Sequence, residues 1–371
     1  MAGTVNLAEK YSSKIDEVMM NGALSEASIN KDYEFSGAKA VKVYSFDTVE
    51  MNDYQREGTN RYGTPEELPD NTQEMILTQD KSFTFTIDKG NRIDTPEGVR
   101  DAGTALRRQI EQKIKPMIDK YRFTKIAEGA AHVFFATEGV SSTTAYSIFL
   151  DANEAIDEDD VPSEGRVANV SPKFLKELKK DENFIKSGDS SQKMLISGQV
   201  GEVDGVAIVK VASSRLPAGC LFEITHKAAT TSPIKLAEYK IHQDPPGISG
   251  QLAEGRVYFD AFVLDKKKNM ISVVYGNTGS LTLTATAGSS STKSKVKVTG
   301  NTAGGTLVYK GDYASAATAA AAIDVGDDVS GWTAFPSNGE VTTADGKYIA
   351  VAVKVNGKCV SGGTVAAVVG S

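Results

Sequence analysis

Between positions 95 and 121 the apolar residues Leu106, Ile110, Ile114, Met117 and Tyr121 recur at steps of four, four, three and four. That spacing predicts one long amphipathic helix. Thr95 is placed to cap its start, Pro96 suits the first helical position, and Glu97 favours the positive helix end. Arg107, Arg108, Glu111, Lys113 and Lys115 fall on other faces. At 1.5 Å per residue the helix is about 39 Å long, a length that suits lying across a sheet. Gly98 and Gly103 weaken its first turns, and Pro116 kinks or restarts it.

Upstream the period changes. Leu7, Tyr11, Ile15 and Val18 predict a short helix over 6–20, whereas 21–38 has no sustained period and reads as an extended arm. Residues 39–56, rich in Val, Tyr and Phe, read as a strand. Residues 73–88 read as its antiparallel partner, because Phe83, Phe85 and Ile87 alternate with Thr84, Thr86 and Asp88. The segment between them is polar and punctuated by Gly and Pro, a hairpin tip of roughly 17 residues, which is long enough to suggest a function. A two-stranded ribbon is marginal in water, so something must cover it, and a neighbouring subunit is a natural candidate.

Downstream, 122–133 reads as a continuing or second helix, and 143–160 as an amphipathic helix ending in the acidic run Asp157, Glu158, Asp159, Asp160. Arg166–Val170 reads as a short buried strand. Ser171 caps a helix that has Pro172 at its first position and stops near Asp181. Short strands follow at 193–197, 201–213 and 219–227. Residues 255–275 read as two strands joined by a turn at 265–269. The pattern is α+β.

Residues 278–371 differ in composition, being rich in Gly, Ala, Ser, Thr and Val. They carry seven Lys and no Arg against six Asp plus Glu, a net of +1, so the first part carries -8 and the whole chain -7. Runs at 280–288, 295–300, 306–311, 331–341, 347–358 and 363–371 read as short strands, with Asn356-Gly357 as a hairpin turn. Together they predict an all-β sandwich, with Trp332 as its core aromatic.

With 40% hydrophobic and 24% charged residues, the 371-residue chain has the composition of a soluble globular protein. It contains no apolar run of about 18 residues, and its first residues do not read as a signal peptide. Cys220 and Cys359 lie far apart, give no disulfide framework, and read as small buried residues of a reducing compartment. A net charge of -7 argues against a dedicated nucleic-acid binder without excluding a locally basic inner face. His132, His226 and His242 neither pair at helical spacing nor neighbour a Cys. Walker, G-x-S-x-G and H-E-x-x-H motifs are missing. Gly198–Gly205 reads as turns between strands rather than a phosphate loop. The acidic run needs something basic to face it. Lys266, Lys267 and Lys268 read as a turn able to face a polyanion, and Asp324, Asp327 and Asp328 lack calcium-loop spacing. No catalytic, cofactor or metal site is expected, which favours a structural or interaction protein over an enzyme.

The order of elements over residues 1–277 resembles the major capsid proteins of tailed phages, the Hong Kong 97 fold. Val161-Pro162-Ser163-Glu164-Gly165-Arg166 through Ser171-Pro172 is similar to the passage that opens the axial domain in that family. Gly201–Val206 followed by Ser213-Ser214-Arg215-Leu216-Pro217 fits a later passage of the same domain. The resemblance implies an N-terminal arm (1–38), an E-loop (39–94) and a peripheral domain (95–277). The peripheral domain would hold the spine helix (95–121), with an axial domain at about 125–250 and last strands near 255–275 that return to the periphery. Residues 278–371 resemble the immunoglobulin-like domains appended to some phage proteins, though without Cys…Trp…Cys spacing. The function implied is that of a virion shell subunit, assembled in the bacterial host cytoplasm into pentamers and hexamers around double-stranded DNA held non-specifically. The E-loop tip, with Arg56, Arg61, Glu66 and Glu67, would pack on a neighbouring subunit. The tail would project outward, open to a surface ligand. A separate scaffolding protein, a portal and a protease are the further partners implied, and no membrane. The alternatives are an encapsulin-like compartment shell and a surface-binding protein with an immunoglobulin-like module.

Overall fold

The computed structural model describes residues 23–33, 40–46, 48–65, 67–68, 70–93, 102–182, 184, 201–276 and 280–370. The expected helix over 6–20, the cap at Thr95–Gly98, Glu66, and the strand at 193–197 lie outside these residues. The spine helix runs as Ala102–Gln109, Ile110–Ile114 and Lys115–Glu128. It ends at Glu128 rather than Tyr121, because Phe123, Ile126 and Ala127 are buried and Gly129 stops it. The middle segment is a π-turn in which the Lys115 N–H donates to the Ile110 carbonyl. Pro116 has no N–H and its ring crowds the carbonyl four residues back. Widening the turn ahead of it absorbs the proline without ending the helix.

The helix lies across a sheet, packing Ile114 and Ile118, with Met117 and Tyr121, on Val257 and Phe259. That sheet is antiparallel, in the order Ile234–Gln243, Gly250–Phe259, Gln79–Asp88. The strand containing Phe83, Phe85 and Ile87 therefore pairs with Gly250–Phe259, not with residues 39–56 as the alternation suggested. Ala40–Phe46 pairs instead with Asp70–Ile76, which lengthens the tip to residues 47–69. The two strands on that side are separated by Leu77 and Thr78. Leu77 is buried with Met75 and Leu264. The Asp260 carboxylate accepts from the Thr78 N–H and hydroxyl, both at 2.8 Å, and from the Tyr121 hydroxyl at 2.6 Å. The strand Ile234–Gln243 was not legible in the sequence, because exposed Glu238, Lys240 and His242 interrupt its apolar run.

A second sheet has six strands, in the order His132–Phe135, Ile271–Tyr275, Cys220–His226, Arg166–Val170, Val206–Lys210, Glu202–Val203. His132–Phe135, whose first two residues were expected to close the helix over 122–133, is its edge strand, since Gly129 ends the helix and Val133, Phe134 and Phe135 favour extended backbone. Residues 255–275 divide between the two sheets. Between them, Phe262–Val263 pairs with Thr230–Thr231, and Asp265–Met270 forms 3-10 turns. Helices Ala145–Asp157 and Pro172–Leu178 pack on the six-stranded sheet, with Phe149 and Phe174 at 5.4 and 4.5 Å from the Phe222 ring. The Ser171 hydroxyl accepts from the Phe174 N–H, the cap its position predicts.

Residues 280–370 form two sheets. One contains Thr282–Ala287, Lys293–Thr299 and Glu340–Thr342. The other contains Thr333–Ala334, Thr306–Tyr313, Tyr348–Val355 and Lys358–Ala366. Asn356 (φ +49°) and Gly357 (φ +79°) make the expected hairpin turn. Trp332 is only half-buried, in a side cluster with Val308, Val329, Ala352 and Cys359. The centre is aliphatic, built by Val296, Val341, Ile349 and Val351. A short helix, Ala316–Ala320, opens with a capping box from Ser315 and Thr318.

Candidate subunit interface

The ribbon Ala40–Phe46 and Asp70–Ile76 is anchored at its root. Gln73 donates from Nε2 to the Val263 carbonyl at 2.9 Å and accepts from the Asp265 N–H at 3.1 Å. Met75 and Leu77 are buried against Leu264. Val41 and Val43 pack partly on the same cluster, and the described residues beyond them are mostly exposed. Of the eleven large hydrophobics that are exposed among the described residues, seven lie here: Tyr44, Val49, Met51, Tyr54, Tyr62, Leu68 and Ile76. Met51 is 98% exposed and Tyr62 85%. Scattered apolar exposure is ordinary, but a concentration on one projecting element marks a binding surface.

The tip is organised. The Gln55 N–H donates to the Arg61 carbonyl at 2.9 Å, and Arg61 Nε donates to the Gly58 carbonyl at 3.1 Å. Gly58, at φ +95°, supplies the turn. Tyr54 and Tyr62 meet edge to face with ring centroids 5.0 Å apart. Arg56, Arg61 and Glu67 are exposed around this clasp, and none forms an ion pair among the described residues. The apolar residues of the tip were not singled out from the sequence. Their signal was Met51, Tyr54 and Tyr62 inside a Gly- and Pro-punctuated loop.

Leu24, Ser25 and Glu26 are tied to the spine helix through polar contacts. Asp119 accepts from the Leu24 N–H at 2.9 Å and the Ser25 hydroxyl at 2.6 Å, and it pairs with Arg215 at 2.9 Å. Arg122 donates to Ser25 Oγ at 3.0 Å, Glu26 Oε1 at 2.8 Å and Ser232 Oγ at 2.9 Å. Partial burial opposes ionisation of Glu26, but the hydrogen bonds and charges of Arg122 and Lys31 hold its carboxyl below the usual value. Further along, Asn169 donates to Ser28 Oγ at 2.9 Å and to Glu223 Oε1 at 3.1 Å. Burial raises the Glu223 carboxyl well above its ordinary value, with the Asn169 hydrogen bond acting in the opposite sense.

The remaining candidates have structural places. The acidic run meets basic partners, with Asp157 to Arg166 and Asp159 to His132 both at 2.7 Å. His242 faces Glu254 at 3.3 Å, and His226 accepts from the Ala228 N–H at 3.1 Å. Asp204 and Gly205, both at positive φ, turn Glu202–Val203 into Val206–Lys210. Lys267 donates to the Ala228 carbonyl and Lys268 pairs with Asp265. Asp324, Asp327 and Asp328 lie in the loop before Trp332, where Asp327 accepts from the Asp324 N–H and Asp328 from the Ser330 N–H, both at 2.9 Å. Both thiols are buried and free, and burial pushes that of Cys359 up to about 12. Among the described residues no group of three or more His, Cys, Asp or Glu is placed to hold a metal, and no helix is long and apolar enough to cross a membrane.

No protein-family model matches the sequence, and no curated protein matches it either. The fold is matched by solved phage structures. A structure of Mycobacterium phage Che8 aligns at 17% identity and a TM-score of 0.62, covering 74% of this chain and 98% of that one. The capsid of the cyanophage P-SCSP1u aligns at 13% identity and 0.61, covering 73% and 93%. The mature capsid of bacteriophage PhiM1 aligns at 11% and 0.58, covering 73% and 92%. The protein therefore has the mixed α+β fold of phage capsid structures. Roughly a quarter of the chain lies outside each of these matches.

Proposed function

We propose that this protein is the major shell subunit of a tailed-phage head, a structural component of the virion whose main partner is further copies of itself. The observation that carries the reading is the ribbon. Its root is fixed to the body, while its tip carries Met51, Tyr54 and Tyr62 uncovered. An element built that way gains stability only when another surface covers it. The fold shared with capsid structures supports a second subunit as that surface. In the Hong Kong 97 arrangement the ribbon is the E-loop. Arg56, Arg61, Glu66 and Glu67 then flank the apolar contact and steer its register more than its strength. Pentamers and hexamers would close an icosahedral shell around double-stranded DNA, with the β-domain of residues 278–371 on the outer side. The share of the chain outside the structural matches is about the size of that domain. Scaffolding protein, portal and protease are expected as separate chains.

The test is electron microscopy of the chain expressed with and without a scaffolding protein. Icosahedral shells bearing a regular outer protrusion are expected. Monomers alone, in both conditions, would overturn the reading.

A further inference from the structure

Strands Tyr348–Val355 and Lys358–Ala366 are buried without alternation from Ile349 to Val353 and from Cys359 to Gly363. A free-standing sandwich leaves the outward face of each strand to water, giving a burial period of two. Here both faces are covered, one from within residues 280–370 themselves and the other by a cluster that runs beyond them. Ala352 and Cys359 pack in the side cluster with Val308 and Val329. Ile349, Val351, Val353 and Val360 share one apolar cluster with Leu281, Val296 and Val341 of the β-domain, and that cluster continues into Phe123, Ile126, Leu216, Ala218 and Tyr275, outside it.

Polar contacts fix the same junction. Asn301 Nδ2 donates to the Leu216 carbonyl at 2.7 Å and to the Ser213 carbonyl at 3.3 Å. The Ala218 N–H donates to the Ala303 carbonyl at 2.8 Å. The approach is close at Gly219, where a Cβ would lie 2.5 Å from the Val360 carbonyl oxygen. It is also close at Gly326, where a Cβ would lie 2.5 Å from Thr137 Cγ2.

We propose that residues 280–370 are a cement fused in cis. The surface they bind is the subunit's own junction of spine helix, loop 213–219 and strand Ile271–Tyr275. Binding there locks the spine helix against the six-stranded sheet. The domain is held as part of the body rather than swinging on its connection at 277–279. This rests on the packing alone and stands whether or not the chain builds a shell.

The test uses the full chain with a specific protease sequence inserted at 277–279. After cleavage the two pieces should co-elute in native buffer and separate only in denaturant. Separation in native buffer would overturn the proposal. In the cleaved protein Asn301→Ala, which strips the Leu216 and Ser213 carbonyls of their donor, should speed release of the β-domain roughly tenfold. An unchanged release rate would remove Asn301 from the docking surface and count against a specific interface.

Discussion

Glu223 is fully buried in the middle of the six-stranded sheet, and its Oε2 has no hydrogen-bond partner among the described residues. Burial is the main cause of its raised pKa. The folded state therefore keeps a proton that the unfolded chain has already lost above about pH 4.5. The sign follows directly: stability is highest below the unfolded value and falls as pH rises toward the folded one. Glu223→Gln keeps the shape and hydrogen bonding of the neutral acid and removes the titration. The variant should match the wild type near pH 4 and exceed it at pH 8, by about 1.4 kcal/mol for each unit of upward shift that lies below pH 8. Urea unfolding at the two pH values checks this, and equal stability at pH 8 would show that Glu223 is not held neutral. The run of residues 219–227 was legible as a strand, but its burial on both faces was not. A carboxylate inside a strand ordinarily marks a solvent-facing position, and its partner Asn169, itself hydrogen-bonded to Ser28, is remote in sequence. The same holds for Asp119 and Arg122. They occupy the polar positions of an amphipathic pattern and become buried only because Ser25, Arg215 and Ser232 arrive from elsewhere.

At the scale of elements, periodicity located the spine helix and a strand over 73–88, yet it showed neither the break within that strand nor which strand pairs with which. The choice is made at Asp260. Its carboxylate gathers Thr78, Tyr121 and the Ala261 N–H, so the chain breaks at 77–78 and the ribbon ends there. Thr78 and Asp260 are 182 positions apart, beyond any local pattern. Asp260→Ala leaves those donors without their acceptor and should cost about 2–4 kcal/mol. Asp260→Asn keeps one carbonyl oxygen and should cost less. Thermal unfolding orders the three proteins, and an alanine variant as stable as the wild type would mean the register is set elsewhere. Pro116 teaches a related lesson. Its position foretold an irregularity, but the form taken, a π-turn at Ile110–Ile114, depends on both flanking segments being held to the sheet through Ile110, Ile114 and Ile118.

For the whole molecule, the length and punctuation of the ribbon tip pointed to an interface, while the charges at Arg56, Arg61, Glu66 and Glu67 drew attention from its apolar residues. Exposed ion pairs contribute little net energy, whereas tyrosines buried at the centre of an interface are enriched among its hot spots. The two views separate experimentally. Met51 and Tyr62 are almost wholly exposed, so replacing both with Asp should leave the melting temperature of the isolated subunit nearly unchanged. In the shell reading the same double variant should abolish particle formation, because two carboxylates would have to be buried against a neighbour. Arg56→Ala with Arg61→Ala should instead preserve particles and alter mainly how assembly depends on salt. Calorimetry of the subunit and particle counts by electron microscopy read the two effects independently. A Met51→Asp, Tyr62→Asp protein that still closes shells would take the ribbon tip out of the interface, whereas one that melts early would mean the tip also holds the subunit's own fold.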